Sequence, residues 1–335
     1  MGKRLISIDI ARAICIILVV VGHYAPTNSP EWYLTLNRII YSFHMPLFMF
    51  VSGYVYWATK KEAFNYTDFI WKKFKRLMAP YFFVSILIIV IKLVTEKGLY
   101  LESPISFSAF YEMFYYPAAG FFLWFAYCLF LIFAIIPFFS SQKSILILFL
   151  FSLVLYIIPI KLPDLFCLPQ LKNNLVYFTL GCLVFKLVSV RKLAGNIHYI
   201  ILVVLFVISY YLKSTLTVES DLFKKIINLY LALLGVLTVS NFSRKIQHIN
   251  ISWLLSISGA SYTIYLLHTT FSGFAKAVLF KLPLEQLLGN SLSFIFSMII
   301  VVVIGVLIPL LLHKIIEKKS SVLSFLLGIN CLVKR

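Results

Sequence analysis

Apolar residues in this chain of 335 residues are grouped into long runs that short polar segments separate. A helix of about 20 apolar residues is long enough to cross the hydrocarbon core of a lipid bilayer. Ten segments approach that pattern: 5–24, 39–57, 77–94, 118–139, 145–160, 175–188, 197–212, 226–240, 253–280 and 292–313. We therefore predict an all-α, polytopic membrane protein with about ten transmembrane helices.

Composition supports this prediction and argues against other classes of protein. Hydrophobic residues make up 61% of the chain, whereas soluble globular domains contain about 45–50%. The formal net charge is +18, but the sequence has no polar domain or face that would present a basic patch to nucleic acid. Its five cysteines lack paired spacing, so we predict neither a metal site nor a disulfide framework.

The distribution of basic residues predicts how the chain is oriented. With the N-terminus in the cytoplasm, cytoplasmic segments carry 19 of the 30 Lys and Arg residues, and outside segments carry ten. This matches the excess of positive charge that cytoplasmic loops of membrane proteins carry. We therefore predict a multi-pass protein of the inner or cytoplasmic membrane with both termini cytoplasmic. Its membrane domain comprises residues 1–316, and residues 317–335 form a cytoplasmic tail.

The first predicted helix contains ionisable residues, which are costly inside a membrane, by about 2.5–3.5 kcal/mol for Arg or Asp at a helix centre. Asp9 and Arg12 are three positions apart, so an ion pair can lower the cost of both. His23 shares a face with Arg12, roughly 16–17 Å further along the helix axis. Two polar groups aligned in this way suggest a pathway, and a hydrogen-bonded packing histidine is the alternative.

The second predicted helix combines a histidine with a proline and small residues. Pro46 removes a backbone donor and leaves the carbonyl of Ser42 unpaired, so we expect a kink beside His44. Irregular, polar-lined backbone inside a membrane is tolerated where it lines a cavity. His44 and Ser52 are therefore candidate cavity residues, and helix packing through Ser52 and Gly53 is the alternative.

Basic residues are concentrated where the third predicted helix begins. Lys73, Lys75 and Arg76 lie in this segment, and clustered cations can bind the phosphates of a nucleotide-like donor. The ordinary enrichment of cytoplasmic loops in Lys and Arg explains them without a ligand. Later spans add candidates for a cavity or an acceptor site, with interfacial anchoring or packing as the alternative: Trp124, Tyr127, Tyr262, Tyr265 and His268.

Six short segments, in order, resemble the membrane acyltransferase family 3, a family of bacterial O-acyltransferases that modify surface glycans. The arginine and histidine of the family's first helix correspond to Arg12 and His23. Its Phe-His-Met-Pro-Leu-Phe segment corresponds to residues 43–48, and the Ser-Gly-Tyr that follows corresponds to residues 52–54.

The other three segments lie further along the chain. Arg-Leu-x-x-Pro-Tyr corresponds to residues 76–81, Leu-Trp-Phe to 123–125, and Tyr-x-x-Tyr-Leu-Leu-His to 262–268. Some branches of the family carry a glutamate shortly after Leu-Trp-Phe, where this chain has Tyr127 and Cys128. The chain resembles the branch whose members consist of the membrane domain alone.

This resemblance implies an acyl-CoA donor, normally acetyl-CoA, that is used on the cytoplasmic side. Arg12 would hold the CoA phosphates, with Lys73, Lys75 and Arg76 at the mouth of the site. An extended pantetheine arm spans a distance of the same order as three helical turns, roughly 16 Å, so the thioester would reach His23. No bound cofactor is implied.

The resemblance also implies transfer to a hydroxyl of a cell-surface or lipid-linked glycan. His23 would activate that hydroxyl as a general base or carry the acyl group itself, and Asp9 would orient Arg12. Membrane lipids and surface-polysaccharide assembly proteins are the expected partners. The alternatives are a secondary transporter or glycan flippase without acyl transfer, and a scaffold of an assembly complex.

Overall fold

A computed structural model of the protein describes residues 5–26, 29–60, 65–95, 105–187, 197–215, 220–282 and 290–330. All regular structure in these residues is helical, and no strand occurs among them, which confirms the all-α prediction. Several charged positions behind the predicted orientation lie outside the described residues: Lys3, Arg4, Lys61, Glu62, Glu96, Lys97, Glu102, Arg191, Lys192, Glu219, Glu285, Lys334 and Arg335.

The described helices follow one another with short connections. They are α1 (Ile6–Gly22), α2 (Glu31–Thr59), α3 (Tyr66–Thr95), α4 (Ala109–Glu112), α5 (Phe121–Phe138), α6 (Gln142–Ile157), α7 (Leu168–Lys186), α8 (Tyr199–Thr215), α9 (Asp221–Ile246), α10 (Ser252–Gly259), α11 (Ser261–Leu279), α12 (Asn290–Lys319) and α13 (Ser321–Leu326).

Each of the ten predicted segments overlaps one of these helices or, for 253–280, two of them; residue 188 of the segment 175–188 lies outside the described residues. Among the described residues, five helices are long and apolar enough to cross a membrane: α2, α3, α5, α9 and α12. The number of ten spans and the side on which the termini lie therefore stay predictions.

The helix α1 lies at the centre of the bundle. It contacts α2, α9, α10, α11 and α12, and Ile10, Ala13 and Ile16 are fully buried along it. Cys15 donates a hydrogen bond from Sγ to the carbonyl oxygen of His44 at 3.0 Å, which ties α1 to α2. Because protein encloses most of α1, its polar side chains meet other side chains rather than lipid.

Two glycines bring α2 and α7 unusually close together. A Cβ atom on Gly53 would lie 1.9 Å from the carbonyl oxygen of Phe178, and one on Gly181 would lie 2.1 Å from that of Phe50. Small residues commonly allow such close contact between membrane helices. The helix α2 continues through Pro46 without interruption, and the kink expected beside His44 stays a prediction.

The predicted span 253–280 is wrong in one respect, because two helices replace one. The helix α10 ends at Gly259, and α11 begins at Ser261. Glycine has low helix propensity, and Ser258 donates its side-chain hydrogen bond to Asp9 of α1 at 3.2 Å. The break therefore lies where the chain contacts the polar part of α1.

Two lysines from the predicted outside segments satisfy the end of α6. Lys172 and Lys225 each donate from Nζ to the carbonyl oxygen of Ile158, at 2.7 and 3.2 Å. The last carbonyls of a helix lack partners within it, and a cation near them is favourable. These two charges therefore have a structural role.

The chain beyond residue 316 returns to the bundle. The helix α12 continues to Lys319, α13 contacts α3, and Leu327 is buried in the main core. Gly328 has a φ of +65°, and a Cβ atom there would lie 2.6 Å from the carbonyl oxygen of Arg76. The described part of the predicted tail thus lies against the basic segment of α3.

We predict that Gly53→Ala destabilises the protein, because the added methyl group would overlap the backbone of α7. Such overpacking typically costs about 1–3 kcal/mol. The matched control is Gly273→Ala in α11, where nothing lies within 4 Å of the added Cβ. Thermal unfolding in detergent should show a lower Tm for Gly53→Ala and an equal or slightly higher Tm for Gly273→Ala.

Candidate functional site

Three histidines from three helices lie close together at one end of α1. His23 follows the last residue of α1, and the centroid of its ring is 5.0 Å from that of His268 on α11. His44 on α2 is joined to this group through Tyr41, whose ring lies 4.8 Å from His44 and 6.1 Å from His23. The structure therefore brings together three of the histidines that the sequence analysis selected.

The backbone determines which ring nitrogen of each histidine is basic. Each Nδ1 lies 2.8 Å from a carbonyl oxygen three or four positions earlier on its own helix: Val19 for His23, Ile40 for His44 and Tyr265 for His268. A carbonyl oxygen only accepts, so each Nδ1 carries a hydrogen, and in a neutral ring Nε2 is then the unprotonated nitrogen. The three neutral rings thus present Nε2 atoms that accept hydrogen bonds or protons.

Aromatic side chains that were not among the predicted site residues contact the histidine pair. Phe122 at the start of α5 lies 6.3 Å from His23 and 5.5 Å from His268, edge-on to both rings. Phe122 directly precedes the Leu-Trp-Phe segment, and Tyr41 lies three positions before His44. Their positions next to these motifs were the only sequence features that could have identified them as site residues. Of the two histidines, His268 is fully buried and His23 is half-buried, so the apolar surroundings strengthen electrostatic interactions most at His268.

Polar residues near the start of α2 hold the end of α1 and therefore position His23. Tyr33 donates from its hydroxyl group to the carbonyl oxygen of Val21 at 2.7 Å. Asn37 donates from Nδ2 to the carbonyl oxygen of Gly22 at 2.9 Å. The carbonyl of Val21 also accepts from the backbone N–H of Tyr24 at 3.2 Å, and the two side-chain bonds add to the hydrogen bonding of the turn that carries the imidazole. Neither residue was predicted from the sequence.

The other end of α1 carries the predicted ion pair. Arg12 Nη1 lies 3.3 Å from Asp9 Oδ1, and both side chains are largely buried. Ser258, at the end of α10, donates its hydroxyl hydrogen to the same carboxylate oxygen at 3.2 Å. Pairing and hydrogen bonding are what make buried charges tolerable. Asp9 thus contacts Arg12 and the break between α10 and α11.

The two ends of α1 show that α1 and α10–α11 run in the same direction. Near the start of α1, Asp9 contacts Ser258 of α10. At the end of α1, His23 contacts His268 of α11, which lies ten positions after Ser258 in the sequence. The arginine and the histidine are therefore separated along α1 by about 16 Å of helix rise. Arg12 and His23 thus lie at opposite ends of the interface between α1 and the helices α10 and α11, and the candidate site extends between them.

The face of α11 that leads to His268 is formed by two tyrosines. Tyr262 donates to the carbonyl oxygen of Leu77 at 2.9 Å, next to Arg76. Tyr265 donates to the carbonyl oxygen of Phe122 at 2.9 Å. The two tyrosine rings stack with centroids 5.8 Å apart. This face connects the basic segment of α3 with the histidine pair.

The predicted donor-binding cations lie at and next to a π-helical turn, Phe74–Met78 within α3. Lys75 and Arg76 are exposed, and Lys75 Nζ lies 5.1 Å from the ring centre of Trp71. Lys73 is half-buried, and its Nζ lies 3.7 Å from the ring centre of Phe133. Irregular turns of this kind often occur at functional sites. Lys75 and Arg76 are the better placed of the three for a ligand at the surface.

Three further candidates lie away from the histidines. Ser52 is half-buried next to the contact between α2 and α7. Trp124 begins the regular part of α5 and packs against Phe125. Tyr127 donates to the carbonyl oxygen of Phe114 at 2.9 Å. Among the described residues, none of these three side chains forms a hydrogen bond or ring contact with the three histidines, and their predicted role in the cavity stays a prediction.

A bundle of apolar helices that encloses a buried ion pair and basic imidazoles defines a multi-pass membrane protein with a polar site in its interior. The family model described as an acyltransferase domain, acyltransferase family 3, matches residues 5–312. The chain therefore belongs to this family, which confirms the resemblance of its sequence segments.

Similarity to individual proteins covers shorter stretches. The nodulation protein NolL of Mesorhizobium japonicum is 35% identical over 98 residues, which are 27% of this chain and 26% of that protein. NolL of Sinorhizobium fredii is 43% identical over 60 residues, which are 16% of each. The chain thus matches about a quarter or less of the length of these relatives. No solved structure matches it.

We predict that Tyr33→Phe lowers the Tm of the protein in detergent. Tyr33 is fully buried, and the substitution removes its hydrogen bonds with the carbonyl oxygen of Val21 and the N–H of Ala25, each worth about 0.5–1.5 kcal/mol. Tyr230→Phe is the matched control, because that tyrosine is exposed. Equal Tm values for the two variants would contradict the role of Tyr33 in holding the end of α1.

Proposed function

We propose that this protein is an integral-membrane O-acyltransferase. It moves an acyl group, acetyl in the first instance, from cytosolic acyl-CoA to a hydroxyl group of a cell-surface or lipid-linked glycan. The observation that carries the proposal is the pairing of His23 with His268 at one end of α1, while Arg12 lies at the other end. Membership of the acyltransferase family supports the reaction class.

His23 is the proposed base because its Nδ1 hydrogen bond leaves Nε2 unprotonated. Nε2 takes the proton of the acceptor hydroxyl while the hydroxyl oxygen bonds to the carbonyl carbon of the thioester. The carbon–sulfur bond then breaks, and the CoA thiolate takes the proton from His23. In the alternative, Nε2 attacks the thioester first and carries the acyl group to the hydroxyl.

Arg12 is the proposed ligand of the CoA phosphates, and Asp9 is the residue that orients it. Guanidinium groups bind phosphate oxygens through paired hydrogen bonds. Lys75 and Arg76, both exposed, extend the positive charge at the surface, and Lys73 contributes its charge from behind them. About 16 Å of helix rise between Arg12 and His23 suits an extended pantetheine arm.

The proposed location is the cytoplasmic or inner membrane, with the donor site facing the cytoplasm. The excess of basic residues in the predicted cytoplasmic segments supports this orientation. The acceptor is then a glycan outside or a lipid-linked precursor within reach of His23. Proteins that assemble surface polysaccharide are the partners this arrangement would require.

Mass spectrometry of surface glycans from cells with and without the gene tests the proposal directly. We expect an ester-linked acyl group to be absent from one glycan in the deletion strain and restored by the wild-type chain. A glycan that keeps its esters but no longer reaches the surface would instead favour a flippase. Unchanged glycans would reject the acyltransferase.

We predict that His23→Ala lowers acyl transfer from acetyl-CoA in membrane vesicles by roughly 10²- to 10⁴-fold, the usual contribution of a general acid–base group. The control is His248→Ala, because His248 is exposed in the turn after α9. Transfer of radiolabelled acetyl groups to glycan is the measurement. An unchanged rate for His23→Ala would rule out both the base and the acyl carrier.

We predict that Arg12→Ala weakens binding of acetyl-CoA roughly tenfold to a hundredfold, as expected for loss of a hydrogen bond to a charged group. Removal of the guanidinium also leaves Asp9 without this ion pair. The double variant Asp9→Asn with Arg12→Gln avoids that problem. It should bind acetyl-CoA as weakly as Arg12→Ala does, and its Tm should lie closer to that of the wild-type protein. Arg38→Ala, at an exposed ion pair with Glu31, is the control for affinity measured by calorimetry.

A further inference from the structure

The Nε2 atom of His268 is buried without a hydrogen bond. The side chain has no solvent-exposed area, and Nε2 has no hydrogen-bond partner among the described residues. The other buried side-chain atoms in this state are hydroxyl oxygens, whose hydrogens can rotate to suit their surroundings. The ring of His268 cannot adjust in this way, because its Nδ1 is held by the carbonyl oxygens of Ile264 and Tyr265. A buried polar atom of this kind requires an explanation.

The nearest ring in the site belongs to His23. Its centroid lies 5.0 Å from that of His268, with an angle of 78° between the ring planes. In this structure the two Nε2 atoms do not form a hydrogen bond, and Nε2 of neutral His23, like that of neutral His268, can only accept one. Protonated His23 carries a hydrogen on Nε2 and becomes a donor. One proton therefore converts two acceptors into a donor and an acceptor.

A hydrogen-bond acceptor next to His23 matters because the ring of His23 is positively charged once it is protonated. A cationic imidazole is unfavourable in an apolar site unless a hydrogen bond stabilises it. Lys276 lies on the same helix as His268, about two turns further along. His44 is separated from His23 by the ring of Tyr41. Phe122 supplies only an aromatic edge.

We propose that His268 is a positioning residue for His23, and that its Nε2 accepts a hydrogen bond from the Nε2–H that His23 gains during acyl transfer. The inference rests on the proposed function, in which His23 takes the proton of the acceptor hydroxyl and returns it to the CoA thiolate. Between the two steps that hydrogen is shared in a bifurcated hydrogen bond between the reacting substrate atom and Nε2 of His268, and His268 itself neither gains nor loses a proton. This requirement for an acceptor accounts for the Nε2 of His268 that has no hydrogen-bond partner.

Two substitutions of His268 separate this role from simple packing. Glutamine keeps an acceptor oxygen, whereas methionine has a similar length but only a weak thioether acceptor. We expect His268→Met to lower kcat for acetyl transfer roughly tenfold to a hundredfold, as loss of one hydrogen bond to a charged group implies. KM for acetyl-CoA should change little, and His268→Gln should recover most of kcat. His248→Met is the control for an exposed histidine.

The result that would overturn the inference is wild-type kcat in His268→Met, or equal losses in the methionine and glutamine variants. Either result leaves the proposed function intact as long as the wild-type chain transfers acetyl groups and His23→Ala does not. A wild-type chain that transfers none would instead reject both the function and the inference.

Nuclear magnetic resonance of the wild-type protein supplies a test that does not depend on how the variants fold. With nitrogen-15 in its six histidines, the chemical shifts distinguish protonated from unprotonated ring nitrogens. We expect His268 to carry its hydrogen on Nδ1 at neutral pH. On acidification, His23 should gain a hydrogen on Nε2 that shows a coupling across a hydrogen bond to Nε2 of His268. A hydrogen on Nε2 of neutral His268 would contradict the inference.

Discussion

The need to satisfy polar side chains of α1 inside a membrane determines much of the bundle around it. Asp9 and Arg12 neutralise each other, and Ser258 of α10 adds a hydrogen bond to the carboxylate. At the other end, Tyr33 and Asn37 of α2 satisfy the last carbonyls of α1. Water is not available in hydrocarbon for these groups, so the protein itself has to supply their partners. The position of α1 at the centre of the bundle follows from that requirement.

The same requirement connects structure with the proposed chemistry. Each of three histidines donates its Nδ1 hydrogen to its own helix, and the basic nitrogens are thereby turned away from the backbone. Because α1 and α11 run in the same direction, a buried cation at one end and basic imidazoles at the other lie along one interface. A long, flexible donor with phosphates at one end and a thioester at the other fits such an arrangement.

Some parts of this arrangement were accessible to sequence reasoning. The spacing of Asp9, Arg12 and His23 depends only on the geometry of one helix, and the predicted ion pair is present. The contact of His23 with His268 joins residues that are hundreds of positions apart, so no local pattern predicts it. The break near Ala260 was missed because hydropathy continues across it while the backbone turns. Tyr33 and Asn37 were missed because their partners are backbone carbonyls, which carry no sequence signal.

By itself, the sequence determined that the chain enters a membrane, that its described structure is helical, and which face of the first helix is polar. These properties follow from the apolar content of each segment and from the period of the helix. Only the tertiary structure decided that His268 faces His23, that Lys73 lies against Phe133, and that Gly53 packs against α7. Such pairings depend on how helices far apart in the chain lie side by side. Hydrophobicity alone does not distinguish one apolar neighbour from another, whereas close backbone contact and directed hydrogen bonds do.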